Sequence, residues 1–331
     1  MTLKQVIADK NSIGQKWAGI PGIEITPGGN MFVVWYSGGE DEPDYENTIY
    51  MCTGKEKGAS FSNAVKMAEP RGGFRAFDPT LWIVPDGCLW LIFNRGNKDK
   101  GEQGIYCRTC KEPDGKREWS DEFRIGFDVP FSLRLNKPTV ISGGNWLMPV
   151  TYYTKPTYSW SVGDGLLQGV GISSDKGKSW QLHGAVKAPP WALENMFVER
   201  KDGSIVMYIR TGAQVLWQSI SADGGRTWSE GSPTSIANPG SRFYIHKLPD
   251  GEWLLINSPL PDKRSRIEAS ISQDEGITWS KGLVLDERDN VSYPDAAFGT
   301  DGTIYAVHDR ERKEIGEIIL SVFRKEDIID I

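Results

Sequence analysis

Four chemically active side chains recur at one offset along the chain. Asp78, Glu194, Arg242 and Tyr293 each stand nine positions ahead of a glycine that opens a short apolar run, and Asn136, followed by Lys137, stands eight ahead of another. Equal offsets place these residues at equivalent points of repeated units, so groups far apart in sequence converge. A phenol, two carboxylates, a guanidinium and an amide are an expensive way to fill space, because apolar groups close a gap without desolvating polar atoms. Their convergence is expected of a concave site for a small polar molecule.

The glycines that set this offset are Gly87, Gly144, Gly203, Gly251 and Gly302, and Gly29 adds a sixth, preceded by Gly19-Ile20-Pro21 with no charged group. Each begins a turn followed by a strand-like run: NMFVVWY, CLWLIF, NWLMPV, SIVMYI, EWLLIN and TIYAVH. An octapeptide recurs three times, SSDKGKSW, SADGGRTW and SQDEGITW, with decayed copies in GKEKGASF and DGKREW. Its physics suits a hairpin turn. The Asp accepts backbone N–H groups of the loop, the Gly takes a positive φ and the Trp plugs a hydrophobic layer. Six strand–turn–strand units with a period near fifty predict a radial array of small sheets. The chain is thus expected to be all-β, a six-bladed β-propeller of four-stranded antiparallel blades forming one domain over 1–331. The N-terminal LKQVIA is expected to supply the outer strand of the last blade, and the only helix to be a turn near Lys325–Ile329.

Composition agrees. Thirteen tryptophans, 37 glycines and 19 prolines favour short strands and tight turns over helices. With 38 basic and 44 acidic residues the net charge is −6, which argues against nucleic acid or an anionic membrane as the main partner. No apolar run approaches the roughly 20 residues of a spanning helix. The first residues, MTLKQVIADK, lack the apolar stretch of a secretory signal, so a cytoplasmic location is expected. Cys107 and Cys110 form a C-x-x-C pair, but in an extended segment they lie about 10 Å apart at ~3.3 Å per residue, too far for a disulfide. No second pair accompanies them, and no metal or other cofactor is expected.

A six-bladed propeller carrying these octapeptides resembles the sialidase superfamily, whose repeats are called Asp boxes. The resemblance covers nearly the whole chain and implies that Asp175, Asp223, Asp274, Trp180, Trp228 and Trp279 are structural. It further implies a retaining, exo-acting glycosidase acting on an oligosaccharide or glycoconjugate with a terminal acidic or deoxy sugar. Tyr293 matches the family's nucleophile in VSYPDAAFGTDG, and Glu194, in LENMFVE, its partner base. A phenol with pKa about 10 needs such a base to attack at neutral pH. Arg210, ending MYIR, matches one of the arginines that clamp the substrate carboxylate, and Arg264 or Arg266, in KRSRIEASIS, matches another, Arg264 with the better spacing. The proton donor falls in SGGEDEPDYENTIYM, where Asp41, Glu42, Asp44 and Glu46 are available and Asp44 aligns best. The family's first clamp arginine is replaced here by Gly19, so either the substrate carboxylate is held differently, with Arg75 or Arg242 supplying charge from another angle, or the substrate is not sialic acid. Asp78, Asn136, Lys137 and Asp295 complete the expected substrate contacts. His308, beside Asp309, is a candidate general base, and the alternation DRERKE reads as a solvated turn. The competing readings are a related rhamnosidase or a uronate lyase using His or Tyr, and a carbohydrate-binding propeller without turnover.

Overall fold

The computed structural model describes residues 3–329 apart from 56–59, 98, 100, 101, 135 and 156–164. Tyr158 and Trp160 of the aromatic segment YYTKPTYSW therefore lie outside the described residues. Strand β1 (Leu3–Ala8) stands apart from its sequence neighbours. The first sheet runs in order β2 (Ala18–Ile25), β3 (Asn30–Ser37), β4 (Thr48–Lys55) and β5 (Val65–Ala68). Next come β6 (Arg75–Ile83), β7 (Leu89–Asn97), β8 (Glu102–Cys110) and β9 (Phe123–Ile125), then β10 (Phe131–Leu133), β11 (Thr139–Val140), β12 (Trp146–Tyr153), β13 (Leu167–Ser173) and β14 (Gln181–Val186). Here the sheets are not separate. Phe131 on β10 pairs antiparallel with Tyr153 and parallel with Gln103, joining both groups into one nine-stranded sheet.

Two further four-stranded sheets follow, β15 (Leu193–Glu199) to β16 (Ile205–Arg210), β17 (Val215–Ser221) and β18 (Ser232–Ala237), and β19 (Tyr244–Lys247) to β20 (Trp253–Asn257), β21 (Ser265–Ser272) and β22 (Leu283–Asp289). In the last sheet β23 (Val291–Phe298), β24 (Ile304–Arg310) and β25 (Glu317–Phe323) are joined by β1, which pairs antiparallel with β25 from Leu3↔Val322 to Ala8↔Ile318. One helical turn, α1 (Glu326–Ile329), ends the described chain. The first strands of the sheets pack on one another: β2 on β6 and β23, β15 on β19, and β19 on β23. Apolar side chains fill the core, as where Trp82 of β6 and Trp90 of β7 meet Trp146 of β12 edge to face.

The octapeptides sit at the β13–β14, β17–β18 and β21–β22 turns. Asp223 accepts the Ser221 hydroxyl at 2.8 Å, the Thr227 N–H at 2.9 Å and the Thr227 hydroxyl at 2.6 Å. Asp175 and Asp274 repeat the arrangement. The degenerate copy at Asp114 does something else: its carboxylate binds the N–H of Gly28 at 2.8 Å and the Asn30 amide, tying the second sheet to the turn of the first.

These bonds hold the Asp223 carboxyl at about 2, the Thr227 hydroxyl and N–H being the main cause. A carboxyl more acidic folded than unfolded stabilises the fold above its unfolded value near 3.8, and that contribution disappears as pH falls through about 2. Urea midpoints measured from pH 4 to pH 2 are expected to fall less steeply in Asp223→Asn than in the wild type. Equal slopes would refute this role for the aspartate.

Candidate active site

Four of the innermost strands break their ladders at one matching place. The register shifts between Gly19 and Gly22, Phe77 and Thr80, Leu193 and Met196, and Ser292 and Asp295. Within each break a residue with a side chain takes a left-handed φ: Ile20 at 59°, Asp78 at 49°, Glu194 at 56° and Tyr293 at 57°. These are the positions nine residues ahead of the turn glycine, with Ile20 holding the equivalent place in the first sheet. A bulge of this kind turns a side chain out of the strand's alternation. The conformation costs about 1–3 kcal/mol per residue and persists only where surrounding structure imposes it.

Three of the turned side chains are polar, and two meet through Arg210. Its Nη1 donates to the Tyr293 hydroxyl at 2.9 Å and lies 2.7 Å from Oε2 of Glu194. Phenol and carboxylate therefore share one nitrogen. All three residues are buried. Burial opposes the charge on Arg210, but Glu194 and Tyr293 more than offset it, and the guanidinium stays protonated. Around the Tyr293 ring stand three more arginines, with guanidinium carbons 4.1 Å (Arg312), 5.2 Å (Arg242) and 5.3 Å (Arg264) from its centre.

Those arginines differ in what they hold. Arg242 donates to the carbonyls of Pro21 and Tyr293, tying the segment before β19 to the first and last sheets. Arg264 donates to the Gly240 carbonyl at 2.9 Å and borders a cavity of about 240 Å³ with Ser292 and Arg312, whereas Arg266 turns away to Glu268. Arg312 comes from the DRERKE turn. Its Nε donates to Asp309 at 2.7 Å, its Nη1 lies 3.4 Å from Glu42 and its Nη2 donates to the Ser292 hydroxyl at 3.3 Å. Arg75 instead donates to Asn47 at 2.8 Å and stacks on Phe77.

In the loop before β4, Asp44 accepts the N–H groups of Glu40 at 3.2 Å and Glu46 at 2.9 Å, so its carboxylate caps its own turn. Asp41 pairs with Lys313. Glu42 is the loop acid that reaches Arg312. Burial, reinforced by the charges of Glu42 and Glu194 and opposed by Arg75 and Arg134, pushes the Asp78 carboxyl up to about 7.

The remaining sequence candidates make buried hydrogen bonds. Asn136 donates to the Glu194 carbonyl at 2.6 Å. Lys137 donates to the carbonyls of Ile23 and Ala296 at 2.5 and 2.7 Å and sits between Glu24 and Asp295, whose carboxylate accepts the Ile23 N–H. Arg134, which the spacing of the repeats does not mark, is fully buried and donates to the carbonyls of Asp78, Ile92 and Asn136. His308 is completely buried against Asp286 at 3.0 Å, in a cluster with Lys4 and Arg288. Despite burial, bonds from His308, Arg288 and Lys4 hold that aspartate well below the carboxylate range. Cys107 and Cys110 are buried free thiols. A larger groove of about 1070 Å³ runs elsewhere, along Trp180, His183 and Trp228.

Residues 29–306 match the BNR repeat-like domain. The chain belongs to that family. No curated protein matches the BNR repeat-like chain in sequence. Among solved structures it resembles the Hadza microbial sialidase Hz136, with a TM-score of 0.81 and 18% identity over 99% of this chain and 69% of that one. The intramolecular trans-sialidase from Ruminococcus gnavus, solved with oseltamivir carboxylate, gives a TM-score of 0.76 and 15% identity over 98% and 97%. The NanB sialidase from Streptococcus pneumoniae gives 0.77 and 13% over 98% and 71%. This BNR repeat-like protein thus has the β-propeller fold of the sialidases, reached with little sequence in common.

Proposed function

We propose that this protein is an exo-acting, retaining glycoside hydrolase for a terminal acidic sugar, built on a single propeller whose six blades are closed by β1. The observation that carries the reading is Arg210 holding Tyr293 and Glu194 on one nitrogen among further arginines. In the free protein Arg210 occupies the phenol and the carboxylate together. A substrate carboxylate that draws Arg210 to itself frees Glu194 to take the phenol proton. The Tyr293 oxygen then bonds to the anomeric carbon as the glycosidic C–O bond breaks, and a loop acid protonates the departing oxygen. Water attacking the same carbon reverses these transfers and releases Tyr293. A neutral phenol approaches an anionic sugar without the repulsion a carboxylate nucleophile would meet.

Glu42 is the acid we assign to the leaving group, in place of Asp44. Asp44 binds its own backbone, whereas Glu42 reaches Arg312, which a substrate carboxylate draws away, leaving Glu42 able to hold a proton. Asp78, about half protonated at neutrality, is suited in its protonated form to donate a hydrogen bond to a sugar hydroxyl. A panel of chromogenic α-glycosides carrying sialic, ketodeoxy, uronyl and rhamnosyl groups tests the reading: turnover of an acidic glycoside without a 235 nm product supports it, and turnover of only neutral sugars overturns it. On the active glycoside, Glu42→Gln is expected to lose about 10²–10⁴-fold in kcat with a poor leaving group, and far less with nitrophenolate, which leaves unprotonated. Asp44→Asn should show no such contrast. The reverse pattern would return the role to Asp44.

A further inference from the structure

The glycine that takes the place of a clamp arginine is itself a socket for another one. A Cβ built on Gly19 would lie 2.9 Å from both Cγ and Cδ of Arg312, closer than real side chains approach. The stem of Arg312 thus runs across the bare backbone of β2, and its guanidinium ends 4.1 Å from the centre of the Tyr293 ring. Arg312 lies in the turn after β24, in the last sheet, at the opposite end of the sequence from Gly19.

The structure assigns Arg312 as the third carboxylate-binding arginine, with Arg210 and Arg264, and Asp309 as the residue that positions it; this rests on the acidic-sugar reading above. Asp309 is fully buried and uses Oδ2 for both Arg312 Nε at 2.7 Å and the Ile20 N–H at 2.7 Å, while Oδ1 accepts the Ser292 hydroxyl at 2.7 Å. One carboxylate therefore fixes the arginine, the bulge of β2 and the residue preceding the nucleophile. Attraction to Asp309, Tyr293 and Glu42 outweighs burial and keeps the guanidinium charged. Arginine has five N–H donors in a fixed fork. Asp309, Glu42 and Ser292 engage three of them, the last two at 3.4 and 3.3 Å. Arg312 and Arg264 line one cavity and both flank the Tyr293 ring, so the two unengaged donors of the fork can meet a carboxylate there. Nucleophile and third clamp arginine consequently belong to one sheet, and the first sheet contributes an absence of side chain.

The test compares binding of oseltamivir carboxylate with that of its uncharged ethyl ester by calorimetry. The wild type is expected to prefer the acid. Arg312→Ala should lose about 10- to 100-fold in affinity for the acid and little for the ester, and Arg312→Lys should recover part of the loss. Gly19→Ala, which alters no charge, should reproduce the defect by pushing Arg312 aside. Asp309→Asn should weaken acid binding and raise KM for the active glycoside more than it lowers kcat. Each variant is first checked for native circular dichroism, and the set stands on whichever of Arg312→Ala and Gly19→Ala folds. A wild type that prefers the acid, with both variants within twofold of it, overturns the role of Arg312 alone. A wild type without preference for the acid overturns the acidic-sugar reading, and this inference with it.

Discussion

Tyr293→Phe is expected to lower kcat on an acidic glycoside by at least roughly 10³-fold, the scale on which removing a covalent nucleophile acts, with the fold intact. The substitution deletes one oxygen. Ring packing against Arg312, Arg242 and Arg264 survives, and so does the left-handed backbone, which is set by the bulge opposite Asp309 and Val307 and not by the hydroxyl. Arg210 loses its acceptor at 2.9 Å but keeps Glu194 at 2.7 Å, so the stability change is about 1 kcal/mol. The expected signature is therefore loss of turnover with an unfolding midpoint lowered only slightly and with binding of the sugar's carboxylate retained. Mechanism-based labelling sharpens it: a fluorinated acidic glycoside that traps the intermediate should attach to Tyr293 in the wild type and to no residue of the variant. Labelling at a carboxylate, or turnover within tenfold of wild type, would remove the phenol from the reaction.

The reach of the sequence follows the distance over which each feature is decided. The octapeptide is decided within eight residues, because Asp223 satisfies donors of its own turn, and its meaning is plain from those eight residue types alone. The offset of nine is nearly as local: strand length and turn fix how far Tyr293 and Glu194 stand from their glycines, and the bulge at that point makes the offset significant. Even Ile20 obeys it, although its apolar side chain hides the equivalence. Contacts between sheets are different. Arg312 sits in DRERKE, whose composition is the same whether its charges face solvent or a site, and only the bare Gly19 nearly three hundred residues earlier distinguishes the two. In the acidic loop the residue types are alike, so the path of the backbone, not the sequence, turns Asp44 toward its own N–H groups and Glu42 toward Arg312. Likewise FSL is too short to announce itself as β10, because that strand exists through partners on β8 and β12.

The second large effect concerns the Arg210–Glu194 ion pair beside Tyr293. Glu194→Ala is expected to destabilise the protein by about 3–5 kcal/mol, since it leaves a buried guanidinium without its carboxylate, and to lower kcat by about 10²–10⁴-fold, since the phenol loses its base. The two consequences separate in a series. Glu194→Gln keeps the shape and offers Arg210 an amide oxygen, so most of the stability returns while the catalytic loss stays. Glu194→Gly tests the backbone. At φ 56° a glycine relieves strain that alanine retains, worth about 1–2 kcal/mol per residue, so the smaller side chain should give the more stable protein of the two. Urea unfolding of the four proteins at pH 7 is therefore expected to rank wild type above Gln, Gln above Gly, and Gly above Ala, with all three variants almost inactive. Alanine above glycine would mean that the bulge at 194 exerts no strain, and an active glutamine variant would mean that the phenol proton leaves by another route.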